Sequence, residues 1–173
     1  MSVHRTTTLP VAPCRGRLIV SEAVVRVTSE VLQRFIGPDG RHEGLVFWAG
    51  RRCDRDAVAM CALVPACHHG PQHVMAPAEE IGRLGRRARA LGLAVVAQVH
   101  SHPGSDTRHS DGDDKLVLMP HEGMLSLVVA HYGSGPLRPD QGAGFHQYQN
   151  GRWVQIQTSD ADALIIVPSW ARG

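Results

Sequence analysis

The sequence predicts one α/β domain built on a mixed β-sheet. Three observations carry this. Apolar, β-branched runs of strand length, such as residues 91–99 (LGLAVVAQV), alternate with two stretches of helical periodicity. Glycine, proline and asparagine signals separate these runs. Neither a repeat nor a linker interrupts the 173 residues, a length that buries one sizeable core. Residues 1–15, polar and proline-containing, read as a loose, flexible lead-in, and residues 16–173 as the domain.

The elements follow in order. Residues 18–20 make a short strand. Residues 21–35 space their apolar side chains as a helix does, with Ser21 as the cap and Gly37-Pro38 as the stop. Pro38-Asp39-Gly40 is a turn, after which residues 44–50 and 57–64 pair as strands across the charged turn 51–56. Prolines 65, 71 and 77 with Gly70 make residues 65–77 a loop. A helix over 78–91 starts with Glu79 and Glu80 and carries Arg83, Arg86, Arg87 and Arg89 later, the order the helix dipole favours. Strand 91–99 comes next, then a loop rich in His, Ser and Asp, and a short helix from about Asp113. A strand over 125–131 precedes a hairpin, 145–148 with 153–156, around Asn150-Gly151. The tail ALIIVPSW packs as a last strand, and Trp48, Trp153 and Trp170 read as packing residues.

Composition narrows the function. With 18 Lys plus Arg against 16 Asp plus Glu, the net charge of +2 gives no reason to expect nucleic acid or an acidic membrane as partner. No segment reaches the roughly 18 apolar residues of a membrane span, and Arg15 and Arg17 interrupt the one candidate leader run. The four cysteines, Cys14, Cys53, Cys61 and Cys67, lack CxxC spacing and read as free thiols of a reducing compartment. The expected location is the cytoplasm.

The chemistry is concentrated in His100-Ser101-His102-Pro103, followed after six residues by Ser110-Asp111-Gly112-Asp113. On an extended chain residues i and i+2 face the same way, so His100 and His102 can address one ion while Ser101 turns away. Pro103 lacks the N–H that would continue the ladder. Two imidazoles and one carboxylate are three ligands of the types that hold Zn²⁺, with a fourth position left for water. By ligand type alone Asp111 and Asp114 compete with Asp113. Such a site lowers the pKa of bound water from about 16 toward about 7 and needs a base outside the ligand set. Glu43 is best placed, because it opens the apolar run Gly44-Leu45-Val46 and would lie at the edge of a buried strand. Ser110 can donate its hydroxyl to the oxyanion that develops.

Together, Glu43, His100-Ser101-His102-Pro103 and Ser110-Asp111-Gly112-Asp113 resemble the motif of the JAMM (MPN-plus) zinc metalloproteases, in particular the compact stand-alone prokaryotic members. The motif is a strand glutamate, His-x-His-Pro, and Ser-x-x-Asp after a short loop. The resemblance implies a curved mixed sheet flanked by helices, Zn²⁺ on His100, His102 and Asp113, Glu43 as acid and base, and Ser110 steadying the oxyanion. It also implies peptide or isopeptide hydrolysis after the C-terminal tail of a ubiquitin-like or sulfur-carrier protein. The Ser-x-x-Asp spacing selects Asp113 among the neighbouring acids. One departure stands out: the residue before the serine is often proline in the family and is His109 here, next to Arg108.

Other readings compete. Ser110 and Asp113 can simply cap the helix that follows them. Cys67-His68-His69, with His73, is a second set of metal-binding residue types, but it lacks a partner pair at structural-zinc spacing and reads as a solvated loop bordering a groove. His121, His131 and His146 carry no pattern. Two alternative functions use the same residues: a zinc hydrolase of small amides, and a non-catalytic MPN-like scaffold, which typically lacks the ligands that are all present here.

Overall fold

The computed structural model describes residues 5, 7–116, 120–157 and 163–168. Its central element is a nine-stranded sheet in the order β1-β12-β11-β10-β9-β5-β6-β2-β13. The strands are β1 (Val11–Ala12), β2 (Leu18–Ser21), β5 (Leu45–Cys53), β6 (Asp56–Leu63), β9 (Ala94–Ser101), β10 (Leu125–Val129), β11 (Gly144–Gln149), β12 (Arg152–Ile156) and β13 (Leu164–Val167). The sheet is mixed: β9 runs antiparallel to β5 and parallel to β10. Two small hairpins, β3 (Ile36–Gly37) with β4 (Gly40–Arg41) and β7 (His68–Gly70) with β8 (His73–Met75), stand outside it. The predicted α/β domain with a curled mixed sheet and flanking helices is the one observed.

Helices α1 (Glu22–Leu32) and α2 (Ala78–Ala90) cover opposite faces of the sheet. Strand β5 shows why: Val46 and Trp48 join the cluster that holds Val24 and Leu32 of α1. Leu45, Phe47 and Ala49 join the one that holds Leu84 and Ala88 of α2. Alternate residues therefore serve alternate faces, and a strand buried on both sides reads as a continuous apolar run. Ser21 caps α1, its hydroxyl accepting the Val24 N–H at 3.3 Å. Trp48 is locked to the same helix: its indole N–H donates to Thr28 Oγ1 at 2.8 Å, and that hydroxyl donates to the Val24 carbonyl at 2.7 Å.

Three expectations need adjustment. The turn expected over 51–56 is only Asp54-Arg55, because Arg51, Arg52 and Cys53 continue β5 in register with β6. Their polar side chains mask a strand whose backbone pairing sets the length. Residues 65–77 contain the β7–β8 hairpin where a loop was expected, with Pro71-Gln72 as the turn between its arms. Residues 11 and 12, placed in the loose lead-in, pair parallel with Gln155 and Ile156 of β12, and Leu9 is buried in the α2-side core. The Asn150-Gly151 hairpin is as predicted, both residues having positive φ. Trp48 and Trp153 are core residues, whereas Trp170 lies outside the described residues.

Replacing Thr28 with valine keeps the shape but leaves the Trp48 N–H without its acceptor. An orphaned buried donor costs about 1–3 kcal/mol. Urea denaturation should show a loss of that size with an unchanged m-value.

Candidate metal centre

Strand β9 carries His100 and Ser101 as its last two residues, and His102 leaves the strand. His100 sits between Leu45 of β5 and Val128 of β10 and is fully buried. The chain after it is held on both sides: the His102 N–H donates to the Val129 carbonyl at 2.9 Å, and the Tyr132 N–H donates to the His102 carbonyl at 2.8 Å. The third candidate ligand starts a short 3₁₀ turn, Asp113–Lys115. Its loop closes on itself. The Ser110 N–H donates to Asp113 Oδ2 at 2.6 Å and the Asp113 N–H donates to Ser110 Oγ at 3.2 Å. This is the reciprocal pattern of a capping box. Ser110 Oγ thus accepts the Asp113 N–H, although the 3₁₀ turn's own N-cap is Gly112, without a side-chain cap bond, and the hydroxyl hydrogen stays uncommitted to that bond.

His100, His102 and Asp113 come together: one ligand atom from each lies within 4.8 Å of the others, and among the described residues this is the one group of three or more that does so. His100 Nε2 is 3.4 Å from Asp113 Oδ1, and His102 Nε2 is 3.1 Å from Asp113 Oδ2. Ligand atoms bound tetrahedrally at zinc–nitrogen and zinc–oxygen lengths lie about 3.3 Å apart. Both ring nitrogens of His100 are buried without a hydrogen-bond partner, and an unsatisfied buried polar atom is costly. A cation at this point would satisfy one of them. His102 Nδ1 meets the Asp106 carbonyl at 2.8 Å. A carbonyl only accepts, so the proton is assigned to Nδ1 and the Nε2 lone pair to the centre. Two imidazoles and one carboxylate fit a divalent cation with an open position.

The surroundings shift the two histidines in opposite directions. Burial lowers His100 to about 4, which leaves its imidazole neutral, the ligand form, at neutral pH. Burial opposes the charge on Asp113, but His100 and His102 hold its carboxyl well below the usual range. His102 also loses solvation, yet its contacts with Asp113 and Asp106 leave it raised overall.

Glu43 is placed by backbone hydrogen bonds rather than by the strand itself, since β5 begins two residues later. Its N–H donates to the Gly70 carbonyl of β7 at 2.9 Å. The next residue is tied to the histidine strand: the Gly44 N–H donates to Ser101 Oγ at 2.9 Å, and the Ser101 N–H donates to the Gly44 carbonyl at 3.0 Å. Position 44 has to be glycine because a Cβ there would lie 2.6 Å from the Phe35 ring. Glu43 is 7% exposed. Burial, opposed by His102 and assisted by Asp113, pushes its carboxyl up to about 7. Glu43, His102, Ser110 and Asp113 all line one cavity of about 670 Å³. Val74 and Met75 of β8 and Thr8 and Leu9 of the N-terminal segment form other parts of its wall.

Several residues around the site had no sequence signal of function. Ser101 was read only as facing away, yet it is the tie to Gly44. Gln98, Ser126 and His146 are fully buried and form a row across β9, β10 and β11. The Gln98 Nε2 donates to Ser126 Oγ at 2.9 Å. His109, the departure from the family pattern, is 1% exposed, stacks on His146 with ring centroids 4.0 Å apart, and reaches Ser126 Oγ through Nε2 at 2.8 Å. Polar residues inside apolar strand runs were the one available signal. The competing set at Cys67 does not assemble: His69 Nδ1 faces His42 Nδ1 at 2.8 Å, and burial pushes the Cys67 thiol up to about 12, away from the thiolate that binds metal.

A profile of the family described as prokaryotic homologs of the JAB domain matches residues 30–140, which span all five candidate site residues. The chain belongs to this family. It is 32% identical over 140 residues to a protein of Sinorhizobium fredii named a probable metalloprotease, covering 79% of this chain and 85% of that one. The solution structure of a Desulfitobacterium hafniense protein has a similar fold, with a TM-score of 0.65, 14% identity, and coverage of 88% of this JAB-family chain and 94% of the other. A JAB1/MPN domain protein from Archaeoglobus fulgidus superposes with a TM-score of 0.46 and 16% identity over 87% of this chain and 96% of its own. Among the described residues no helix is long and apolar enough to cross a membrane.

A raised carboxyl pKa makes the folded state bind a proton more tightly than the unfolded chain. The stability Glu43 contributes is present below its ordinary value of 4.5 and is lost as pH rises through about 7. In chelator-stripped protein, wild type should therefore lose stability relative to Glu43→Gln by up to about 3 kcal/mol across that window. Urea midpoints measured at several pH values test this, and a constant difference between the two proteins would refute it.

Proposed function

We propose that this chain is a zinc-dependent peptidase that hydrolyses a peptide or isopeptide bond following the C-terminal tail of a ubiquitin-like or sulfur-carrier protein. The observation that carries the reading is the convergence of a buried carboxyl with raised pKa, a His-His-Asp centre and a serine hydroxyl on one cavity. The metalloprotease name of the Sinorhizobium fredii relative supports it.

His100, His102 and Asp113 would hold the cation. When bound, it supplies a Lewis acid that polarises the scissile carbonyl and acidifies water at neutral pH. Glu43 is the base: its buried carboxylate takes a proton from the attacking water and gives it to the departing nitrogen. The Ser110 hydroxyl donates to the carbonyl oxygen as negative charge builds there. Burial of Glu43 and His100 keeps bulk water from competing for these contacts.

The cavity supports an extended substrate. Its volume of about 670 Å³ accepts a few residues of peptide. Strand β8 lines it and, among the described strands, pairs only with β7, so its outer edge can take main-chain hydrogen bonds from an added strand. We place the reaction in the cytoplasm, consistent with four cysteines that form no disulfide.

Purified protein should contain about one zinc per chain, and it should cleave ubiquitin-like proteins that bear C-terminal extensions. Chelation should abolish cleavage and zinc restore it. Glu43→Gln should keep its zinc and lose at least about 10²-fold in turnover. A Glu43→Gln protein with full activity, or a wild type that binds no zinc, would overturn the reading.

A further inference from the structure

The N-terminal segment reaches the metal-binding loop from the far end of the sequence. Arg5 forms a two-pronged ion pair with Asp114, Nη1 to Oδ1 at 3.0 Å and Nη2 to Oδ2 at 2.7 Å. Its Nη1 also donates to the Ser110 carbonyl at 3.4 Å. Residues 5, 110 and 114 are thus joined across more than a hundred positions of chain, immediately beside the candidate ligand Asp113. The strap behind Arg5 is anchored. Leu9 is buried, the Gln155 N–H donates to the Pro10 carbonyl at 2.9 Å, and β1 pairs with β12.

Asp114 is also bonded from the other side. His109 Nδ1 lies 3.1 Å from Asp114 Oδ1, and His109 Nε2 reaches Ser126 Oγ, which accepts from Gln98. One assignment of protons fits each of these bonds: the Gln98 amide donates to Ser126, the Ser126 hydroxyl to His109 Nε2, the His109 Nδ1–H to Asp114, and the Arg5 guanidinium to Asp114. The loop over residues 109–114 is therefore held from two sides, by Ser126 of the sheet through His109 and by Arg5. Removing either leaves Asp114 half-paired and Asp113 free to move with it.

We propose that Arg5 is a positioning residue for the metal-binding loop, acting through Asp114 to hold Asp113 and Ser110 in place. This rests on the functional reading given above for those two residues. Removing a group that orients a metal ligand from outside the ligand set weakens metal binding about 10–100-fold.

The test compares wild type, Arg5→Ala, Arg5→Lys, Asp114→Asn and the Arg5→Ala/Asp114→Asn double variant in the full chain. Zinc affinity is measured by competition with a chromophoric chelator. Amide hydrogen exchange is followed at Ser110 and Asp113 in the metal-free protein. Arg5→Ala should bind zinc at least about tenfold more weakly, with faster exchange at both amides and a metal-free melting temperature lowered by less than about 4 °C. Arg5→Lys should recover part of both losses, and the double variant should be no worse than the poorer single one, as expected for two partners of one interaction. Unchanged exchange and affinity in Arg5→Ala, additive losses in the double variant, or a general fall in melting temperature would each overturn the inference. If wild type itself binds no zinc, the functional reading fails, while the exchange rates still decide whether Arg5 holds the loop.

Discussion

The geometry of the site depends on a pair of hydrogen bonds between Gly44 and Ser101. The backbone N–H and carbonyl of Gly44 are both engaged by Ser101, through its hydroxyl and its N–H respectively. Glu43 precedes one partner, while His100 and His102 flank the other. Glu43 and the two imidazoles are therefore set by one two-point contact between neighbouring antiparallel segments, and neither segment can slip by a residue without breaking both bonds. Everything else at the site builds on this. The β7 carbonyl holds the Glu43 backbone from the other side, and the loop with Ser110 and Asp113 closes over the histidines.

Much of this was legible in the chain itself. Strand periodicity located β5 and β9, and the i, i+2 rule put His100 and His102 near one point, because apolar runs and alternation follow directly from burial on a pleated sheet. Residue type pointed to the two histidines and a nearby carboxylate, and the resemblance to the family motif chose Asp113 among its acidic neighbours. Less legible were residues whose role depends on what lies across the sheet. Ser126 and His146 sit opposite each other in neighbouring strands, and only the register of β10 with β11 brings them under His109. Arg5 had no signal at all, since nothing local to residues 1–15 indicates a partner at position 114. The β7–β8 hairpin was hidden for a different reason. Its arms are three residues each and rich in histidine, too short and too polar for periodicity to register.

Position 109 shows two ways of stiffening one loop. A proline would restrict the backbone through its ring and reduce the freedom of the unfolded chain. A histidine leaves the backbone free but can reach two partners at once, and here both of its nitrogens are used. The substitution thus exchanges a local, covalent constraint for one spread over β9, β10 and the N-terminal strap. The polar row beneath the loop is the counterpart of that exchange. Gln98 and Ser126 have no core-packing reason to be polar, but Ser126 gives His109 a hydrogen-bonded anchor and Gln98 donates to Ser126 in turn.

The wide sequence separation of these contacts bears on when the site can exist. Gly44 and Ser101 are joined across 57 steps of chain, and Arg5 and Asp114 across 109. Contacts of this kind form late, because the entropy of closing long loops has to be met before the packing that compensates it is complete. A nascent or partly unfolded copy carries every ligand, but it has the base out of register and the loop ungripped. The assembled site therefore arises only with the finished fold, so its geometry is a property of the whole domain rather than of any local segment.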